Sequence, residues 1–221
     1  MTRRGFAAEL QALQDDVLTL GSMVEKAISR SIESLKRRDI PMSEKVIEDD
    51  KAINSKRYEI EETCLKLLAT QQPMARDLRN IFSILNITVE LERMGDYAVG
   101  IAKINRMIGD APLIKPLIDI PRMADLALSM LRRSLDAFMR TDVEAALQVC
   151  KDDDMVDALH EQVYRELLTY MLQDPRTINQ ATYLTWVAHN LERIADRSTN
   201  ICERTVFVAT GKIVEIGISN Y

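Results

Sequence analysis

The stretch LERMGDYAVGIAK, residues 91–103, returns one hundred residues later as LERIADRSTNICE, residues 191–203. Each copy carries a glutamate and, four residues further on, an aspartate. The two pairs are Glu92 with Asp96 and Glu192 with Asp196. Residues at this spacing lie on one face of an α-helix, about one turn apart. Like charges so placed cost an isolated helix roughly 0.2–0.5 kcal/mol, so a sequence that keeps the pair twice in register indicates a use for these carboxylates.

The composition favours long helices and argues against several classes of protein. Of 221 residues, 47% are apolar and 29% are charged, whereas glycine and proline together supply only 13 positions. This is enough apolar material for a packed core and very little for turns. The net charge is -5 and no long basic run occurs, so nucleic acid is not an expected partner.

Other features of the sequence suggest where the protein acts. The three cysteines are dispersed without a CxxC motif, which favours reduced thiols in the cytoplasm. The amino-terminal residues lack the apolar segment of a signal peptide. No apolar run approaches the 18 or so residues needed to span a bilayer. We therefore expect a cytoplasmic protein that does not insert into a membrane and reaches one only by docking on a partner.

Apolar residues recur at alternating steps of three and four, which predicts a left-handed helical bundle. Three helices are expected at about 6–38, 43–69 and 75–108, the second beginning near Ser43. A stretch rich in glycine and proline follows at 109–121, and the pattern then repeats at about 122–140, 142–172 and 177–210. The sequence thus predicts an all-α fold of two tandem, pseudo-symmetric three-helix bundles, residues 1–111 and 112–221.

Carboxylates on neighbouring helices are oxygen ligands suited to hard or borderline cations. One turn beyond each motif, the second copy offers Asn200 as a third oxygen donor, whereas the first has Gly100. The antiparallel neighbouring helices add aspartates, so the candidate metal ligands come from four helices. They are Glu92, Asp96, Glu192, Asp196, Asn200, Asp50, Asp153 and Asp157. Such a cluster repels itself unless a cation neutralises it.

Ordinary surface ion pairs are the competing interpretation. Arg93 and Arg193 follow the two glutamates directly. Glutamate, arginine and aspartate at these spacings form exposed pairs worth about 0–1 kcal/mol each. A single motif favours this interpretation. The duplication makes the two interpretations comparable, and both stay open.

No catalytic constellation is recognisable, so the chain is not expected to be an enzyme. Di-iron sites of the ferritin type need Glu-x-x-His motifs from two helices. The two histidines, His160 and His189, are not duplicated, and His189 precedes its glutamate. We interpret both as surface or packing residues. Phosphate-binding glycine loops, nucleophile elbows and HExxH motifs are also missing from the sequence.

The motifs resemble those of the PhoU family, the accessory proteins of phosphate-specific transport. In the first half they are QPMARDLR at 72–79 and LERMGD at 91–96. In the second half they are DPRTI at 174–178, LERIAD at 191–196 and NICE at 200–203. The resemblance covers essentially the whole chain. It implies two three-helix bundles and a binding protein.

The resemblance also implies a function. It implies a cytoplasmic regulator that couples a phosphate ABC transporter, through its ATPase subunit, to a sensor histidine kinase and represses phosphate-starvation genes when phosphate is plentiful. A homodimer is expected, with the acidic helix faces, bordered by Arg93 and Arg193, as the partner-binding surface. The alternative is a carboxylate-rich metal-binding protein, for iron or zinc, with a storage or redox role.

The resemblance implies metal ligands as well. Some members bind multinuclear metal clusters through the ExxxD motifs, which assigns Glu92, Asp96, Glu192, Asp196 and Asn200; the aspartates of the second and fifth helices are added from helix adjacency. Gly100 departs from the usual Asn or Asp, which weakens the first site. Iron or zinc, a cation such as Mg²⁺ or Ca²⁺, and a metal-free state remain open.

Overall fold

The computed structural model describes residues 3–216, and this part of the chain contains six long helices. They are α1 (Arg3–Arg37), α2 (Ile40–Gln71), α3 (Arg76–Ile108), α4 (Asp119–Arg140), α5 (Val143–Gln173) and α6 (Ile178–Thr210), with a 3₁₀ turn at Pro175–Thr177. The all-α class and the six helices are therefore confirmed. The outermost residues of the two predicted bundles, 1–2 and 217–221, lie outside the described range.

An aspartate caps the amino terminus of the second helix in each half. The cap of α2 is Asp39, where the sequence suggested Ser43, and the cap of α5 is Asp142. The Asp39 carboxylate accepts a hydrogen bond from the Met42 amide at 2.8 Å, and Asp142 accepts from Ala145 at 3.0 Å. These caps satisfy amides that the first helical turn leaves unpaired. The prediction that α2 begins near Ser43 is wrong because Pro41 fits the first turn, which moves the start three residues earlier.

Helices α1–α3 and α4–α6 form two similar three-helix units joined through α3 and α6. These two helices run antiparallel: the Phe82 and Phe207 rings meet edge to face with centroids 5.8 Å apart. At the other end, Gly100 lies against Asn190. Helix α1 also contacts α4. The predicted apolar seam of α3 is buried in this arrangement, with Leu91 and Met94 fully enclosed.

Burial of that seam positions the motif. Each position on a helix is turned about 100° from the one before it. Glu92 follows Leu91, so it lies at the edge of the core, where α2 packs against α3. Glu192 holds the same place after Leu191, where α5 packs against α6. The fold therefore places each glutamate at a seam between two helices.

Candidate functional site

The first acidic cluster lies between α2 and α3. Asp50 on α2 approaches α3 at Gly95: a Cβ atom at that glycine would lie 3.6 Å from Asp50 Oδ1. Asn54 donates a hydrogen bond to the other carboxylate oxygen at 2.9 Å. Glu92 is buried, whereas Asp96, one turn further along α3, is exposed. The cluster therefore runs from the core edge to the surface.

An arginine contributed by α2 is a part of this cluster that the sequence reasoning missed. Arg57 Nη1 donates to Glu92 Oε1 at 2.9 Å, and its Nε donates to Glu61 at 2.8 Å. This guanidinium holds a permanent positive charge beside the buried glutamate. Arg93 is more exposed and lies 3.4 Å from Asp96. The first motif thus has ion pairs of the kind that the competing interpretation expects, and one of them is largely buried.

The second acidic cluster lies between α5 and α6 and has more carboxylates. Asp153 and Asp157 face the cluster from α5, and Glu192 and Asp196 from α6. Glu192 is almost completely buried, with 1% of the residue exposed. Arg193 donates to Glu192 through Nε at 2.6 Å and lies 3.0 Å from Asp196. This arginine comes from the motif itself, whereas Arg57 comes from the opposite helix.

The crowding of carboxylates raises the pKa values of several aspartates in the two clusters. Burial, reinforced by the charges of Asp196, Asp157 and Glu192, raises the pKa of Asp153 to about 7. Burial and the charge of Glu192 raise the pKa of Asp196 to about 6. In the first cluster, burial and Asp96 raise the pKa of Asp50 as well. Desolvation and like charges both penalise the ionised carboxylate, so the arginines of each cluster do not fully balance the charge of its carboxylates.

Two histidines close one end of the second cluster. The rings of His160 on α5 and His189 on α6 face each other, with centroids 6.2 Å apart. His189 Nδ1 lies 3.5 Å from Glu192 Oε2. Burial, with the positive charge of Arg193 and the neighbouring His160, lowers the pKa of His189. From the sequence both histidines are expected to be surface or packing residues, and their pairing is visible only in the structure.

Asn200 lies at a different interface from the carboxylates of α5. Its amide donates to Glu90 Oε2 on α3 at 3.1 Å, and Arg197 donates to the same oxygen at 3.0 Å. Glu90 and Asn200 border a polar cleft of about 220 Å³ between α3 and α6. The matching position in the first copy, Gly100, packs against Asn190. The third member of each motif therefore serves the contact between the two halves.

The carboxylate oxygens of the two clusters are suitable ligands for a cation, although the side chains are not arranged around a single point. Asp50 Oδ1, Glu92 Oε2 and Asp153 Oδ1 are buried without a hydrogen-bond partner. Buried carboxylate oxygens are costly when they lack a partner, and a divalent ion would satisfy them. Within residues 3–216, however, no three histidine, cysteine or acidic side chains are already arranged around one point. The predicted metal role of these residues, Asn200 included, stays a prediction.

Comparisons with a family model and with known proteins agree on the family of this chain. The family model described as "PhoU domain" matches residues 17–104 and again 120–205. This chain belongs to the PhoU family. The PhoU homolog of Clostridium acetobutylicum, a phosphate-specific transport system accessory protein, is 42% identical over 98% of this chain and 99% of its own length. The Escherichia coli PhoU protein is 35% identical over 94% of this chain and 86% of its own length.

Solved PhoU structures have the same fold. The crystal structure of PhoU from Pseudomonas aeruginosa superposes with a TM-score of 0.89 at 34% identity, covering 94% of this chain and all of that one. The phosphate transport system regulatory protein PhoU from Streptococcus pneumoniae gives the same TM-score over 96% of this chain and all of that one. The predicted family and PhoU-like fold are confirmed.

Membership of the PhoU family decides the broad class of function. Its members are accessory regulators of phosphate transport, so the prediction that the chain is not an enzyme is confirmed. In the described part of the chain, none of the helices is both long enough and apolar enough to cross a membrane.

Proposed function

We propose that this chain couples a phosphate ABC transporter, through its ATPase subunit, to a sensor histidine kinase and represses phosphate-starvation genes when phosphate is plentiful. The observation that carries the proposal is the whole-length similarity to accessory proteins of the phosphate-specific transport system. We place its action in the cytoplasm, where an ATPase subunit and a kinase domain are accessible, and we expect it to act as a homodimer.

The acidic clusters are the proposed docking surfaces. Asp96 is exposed and Asp196 partly so, and each stands one turn from a buried glutamate whose charge adds to its own. Charges arranged in this way steer association with a basic partner surface and select the partner more than they strengthen binding. Arg93 and Arg193 border the two faces and offer donors to acidic groups at the rim of the partner.

A bound divalent ion is compatible with this role. Asp50, Glu92 and Asp96 would hold it in the first cluster, and Asp153, Asp157, Glu192 and Asp196 in the second. Iron or zinc, or otherwise Mg²⁺ or Ca²⁺, would neutralise the carboxylates when bound. The residues themselves provide oxygen donors, exclude water at the glutamates and present the exposed aspartates to a partner.

The first test is a phosphate-starvation reporter measured in phosphate-rich medium. We expect high reporter activity when the gene is deleted and silencing when it is restored. Reporter activity that stays low in the deletion strain would contradict the proposal. Capture of the purified ATPase subunit or kinase by the full chain then tests the docking surface directly.

Matched variants distinguish a specific role of the acidic clusters in partner capture from a general effect of the negative charge of the protein. Asp96→Asn combined with Asp196→Asn removes one carboxylate charge from each cluster and should weaken capture by about tenfold, which is 1.4 kcal/mol. As a control that removes the same number of charges, Glu44→Gln combined with Glu48→Gln replaces two exposed glutamates near the start of α2. Equal loss with both pairs, or no loss with the first, would exclude the clusters as docking surfaces.

A further inference from the structure

An exposed aromatic patch lies at the histidine end of the second acidic cluster. Trp186, the single tryptophan of the chain, is 47% exposed and packs against Tyr183 with ring centroids 5.6 Å apart. Tyr164 on α5 is 51% exposed and lies one turn beyond His160. Because His160 faces His189 across two antiparallel helices, Tyr164 lies opposite the residue that precedes Trp186. Single exposed apolar side chains are common, whereas a group of them indicates an interaction site.

The aromatic patch and the acidic cluster share one face of α6. Trp186, His189 and Arg193 follow each other at steps of three and four residues, which places them on one side of the helix. Arg193 contacts both Glu192 and Asp196. Asp196 lies about 15 Å beyond Trp186 along the helix axis, and its side chain is 31% exposed. The face therefore presents an aromatic surface and a negatively charged one at a fixed separation.

The aromatic patch is not repeated in the first half of the chain. An asparagine, a buried serine and a glutamate occupy the positions that match the tryptophan and the two tyrosines. They are Asn86, Ser83 and Glu61. The two acidic clusters have a common motif, but the second cluster has aromatic residues at these positions and the first does not. A partner that uses both features is therefore directed to the second half.

We propose that Trp186 anchors the docking surface, and that its occupant is a helix of a partner protein with an apolar side chain and an arginine or lysine about 15 Å apart. This inference rests on the proposed role of the acidic clusters in docking and names the half of the chain that docks. Tryptophan is enriched among the residues that dominate binding energy, because it buries a large, rigid surface at low entropic cost.

Charge complementarity favours a basic occupant. Burial and neighbouring carboxylates raise the pKa of Asp153 and of Asp196, so Arg193 does not fully balance the second cluster. A guanidinium or ammonium group brought to Asp196 adds positive charge there. The face of an indole ring attracts a cation as well. A second copy of this chain fits less well, because its net charge of -5 would add negative charge to the interface.

The single tryptophan permits a direct test with the full chain. The probe is a synthetic helical peptide without tryptophan that carries a leucine and an arginine roughly eleven residues apart on one face. We expect the emission of Trp186 to move to shorter wavelength as the peptide encloses the indole. A peptide with citrulline, a neutral isostere, in place of arginine should bind at least about tenfold more weakly. Equal binding of the two peptides, or an emission that neither peptide changes, would overturn the proposal.

Matched variants test the position of the anchor. Trp186→Ala should weaken capture of the purified ATPase subunit or kinase at least about tenfold. Phe82→Ala truncates an aromatic side chain of similar exposure, 43%, in the first half and should change capture by less than about twofold. Asp196→Asn should weaken capture more than Asp96→Asn does. Equal losses within either pair of variants would contradict the assignment to the second half.

The remaining outcomes separate this inference from the signalling role. An emission of Trp186 that shifts with chain concentration, without peptide, would show that a second copy covers the patch, and the proposal would be overturned. Failure of the reporter test, with the peptide still bound, would remove the signalling role and retain the anchor. Unchanged capture by a folded Trp186→Ala variant would remove the anchor and retain the signalling role. Circular dichroism establishes that each variant is folded, and the peptide titration of the unmodified chain decides the matter if Trp186→Ala is not.

Discussion

Replacing Asp153 by asparagine should stabilise the protein above neutral pH and leave it nearly unchanged in acid. The pKa of Asp153 in the folded protein is about 7, against an ordinary value of 3.8. Between those values the folded chain retains a proton that the unfolded chain releases, so the free energy of unfolding falls as pH rises through this window. Each pKa unit corresponds to about 1.4 kcal/mol, which gives an upper limit of about 4 kcal/mol. Screening by solvent at a partly exposed cluster reduces the expected gain to about 2 kcal/mol.

The assay is urea unfolding followed by circular dichroism at pH 4 and at pH 8, in the presence of a chelator. Asp153→Asn should gain about 2 kcal/mol at pH 8 and less than about 0.6 kcal/mol at pH 4. The neighbouring exposed Asp154→Asn serves as the control and should change stability by no more than about 0.5 kcal/mol. A gain of equal size at both pH values would assign the effect to packing. A loss at pH 8 would refute the charge-crowding argument. An ion that binds the cluster should abolish the advantage of the variant.

Three further predictions concern single contacts and are tested by urea unfolding at pH 7. Arg57→Gln leaves the buried Glu92 without its guanidinium and should cost about 2–4 kcal/mol; adding Glu92→Gln should recover part of the loss, and failure to recover would exclude the pair as its source. Asn105→Ala should cost about 2 kcal/mol, because the buried amide bonds to Ser43 Oγ at 2.9 Å and would leave it with fewer partners; a cost near zero would contradict this. Asp142→Ala removes the α5 cap and should cost about 1 kcal/mol, whereas Asp142→Asn should cost little.

The helices and their duplication were predictable from sequence because both depend on short-range patterns. Steps of three and four residues, ended by proline and glycine, placed the six helices to within about three residues of their observed bounds. The start of α2 was missed because two capping candidates, Asp39 and Ser43, stand close together. Pro41 decides between them, since it is accommodated in a first turn.

Only those features of the site that depend on spacing within one helix could be predicted from the sequence. The ExxxD spacing placed both carboxylates on one face, but it gave no indication that Glu92 is buried while Asp96 is exposed. The partners across the helix seam depend on register. In an antiparallel pair the residue numbers of facing positions add to a constant: 153 with 196, 157 with 192, and 160 with 189 each add to 349. The histidine pairing therefore follows from the register that brings the aspartates of α5 opposite the motif of α6.

The same register explains why the two halves have different chemistry despite their common motif. In the first half the facing positions hold Arg57 and Val89, and the Arg57 guanidinium compensates part of the charge of Glu92. In the second half His160 and His189 occupy those positions, and the guanidinium bonded to Glu192 comes from Arg193 of the motif itself. Burial and neighbouring carboxylates raise the pKa of Asp50 in the first half and of Asp153 in the second, so neither arginine compensates its cluster completely. In the second cluster the pKa values of Asp153 and Asp196 are raised to about 7 and about 6, so the charge that this cluster presents to a partner changes as the pH passes through neutrality.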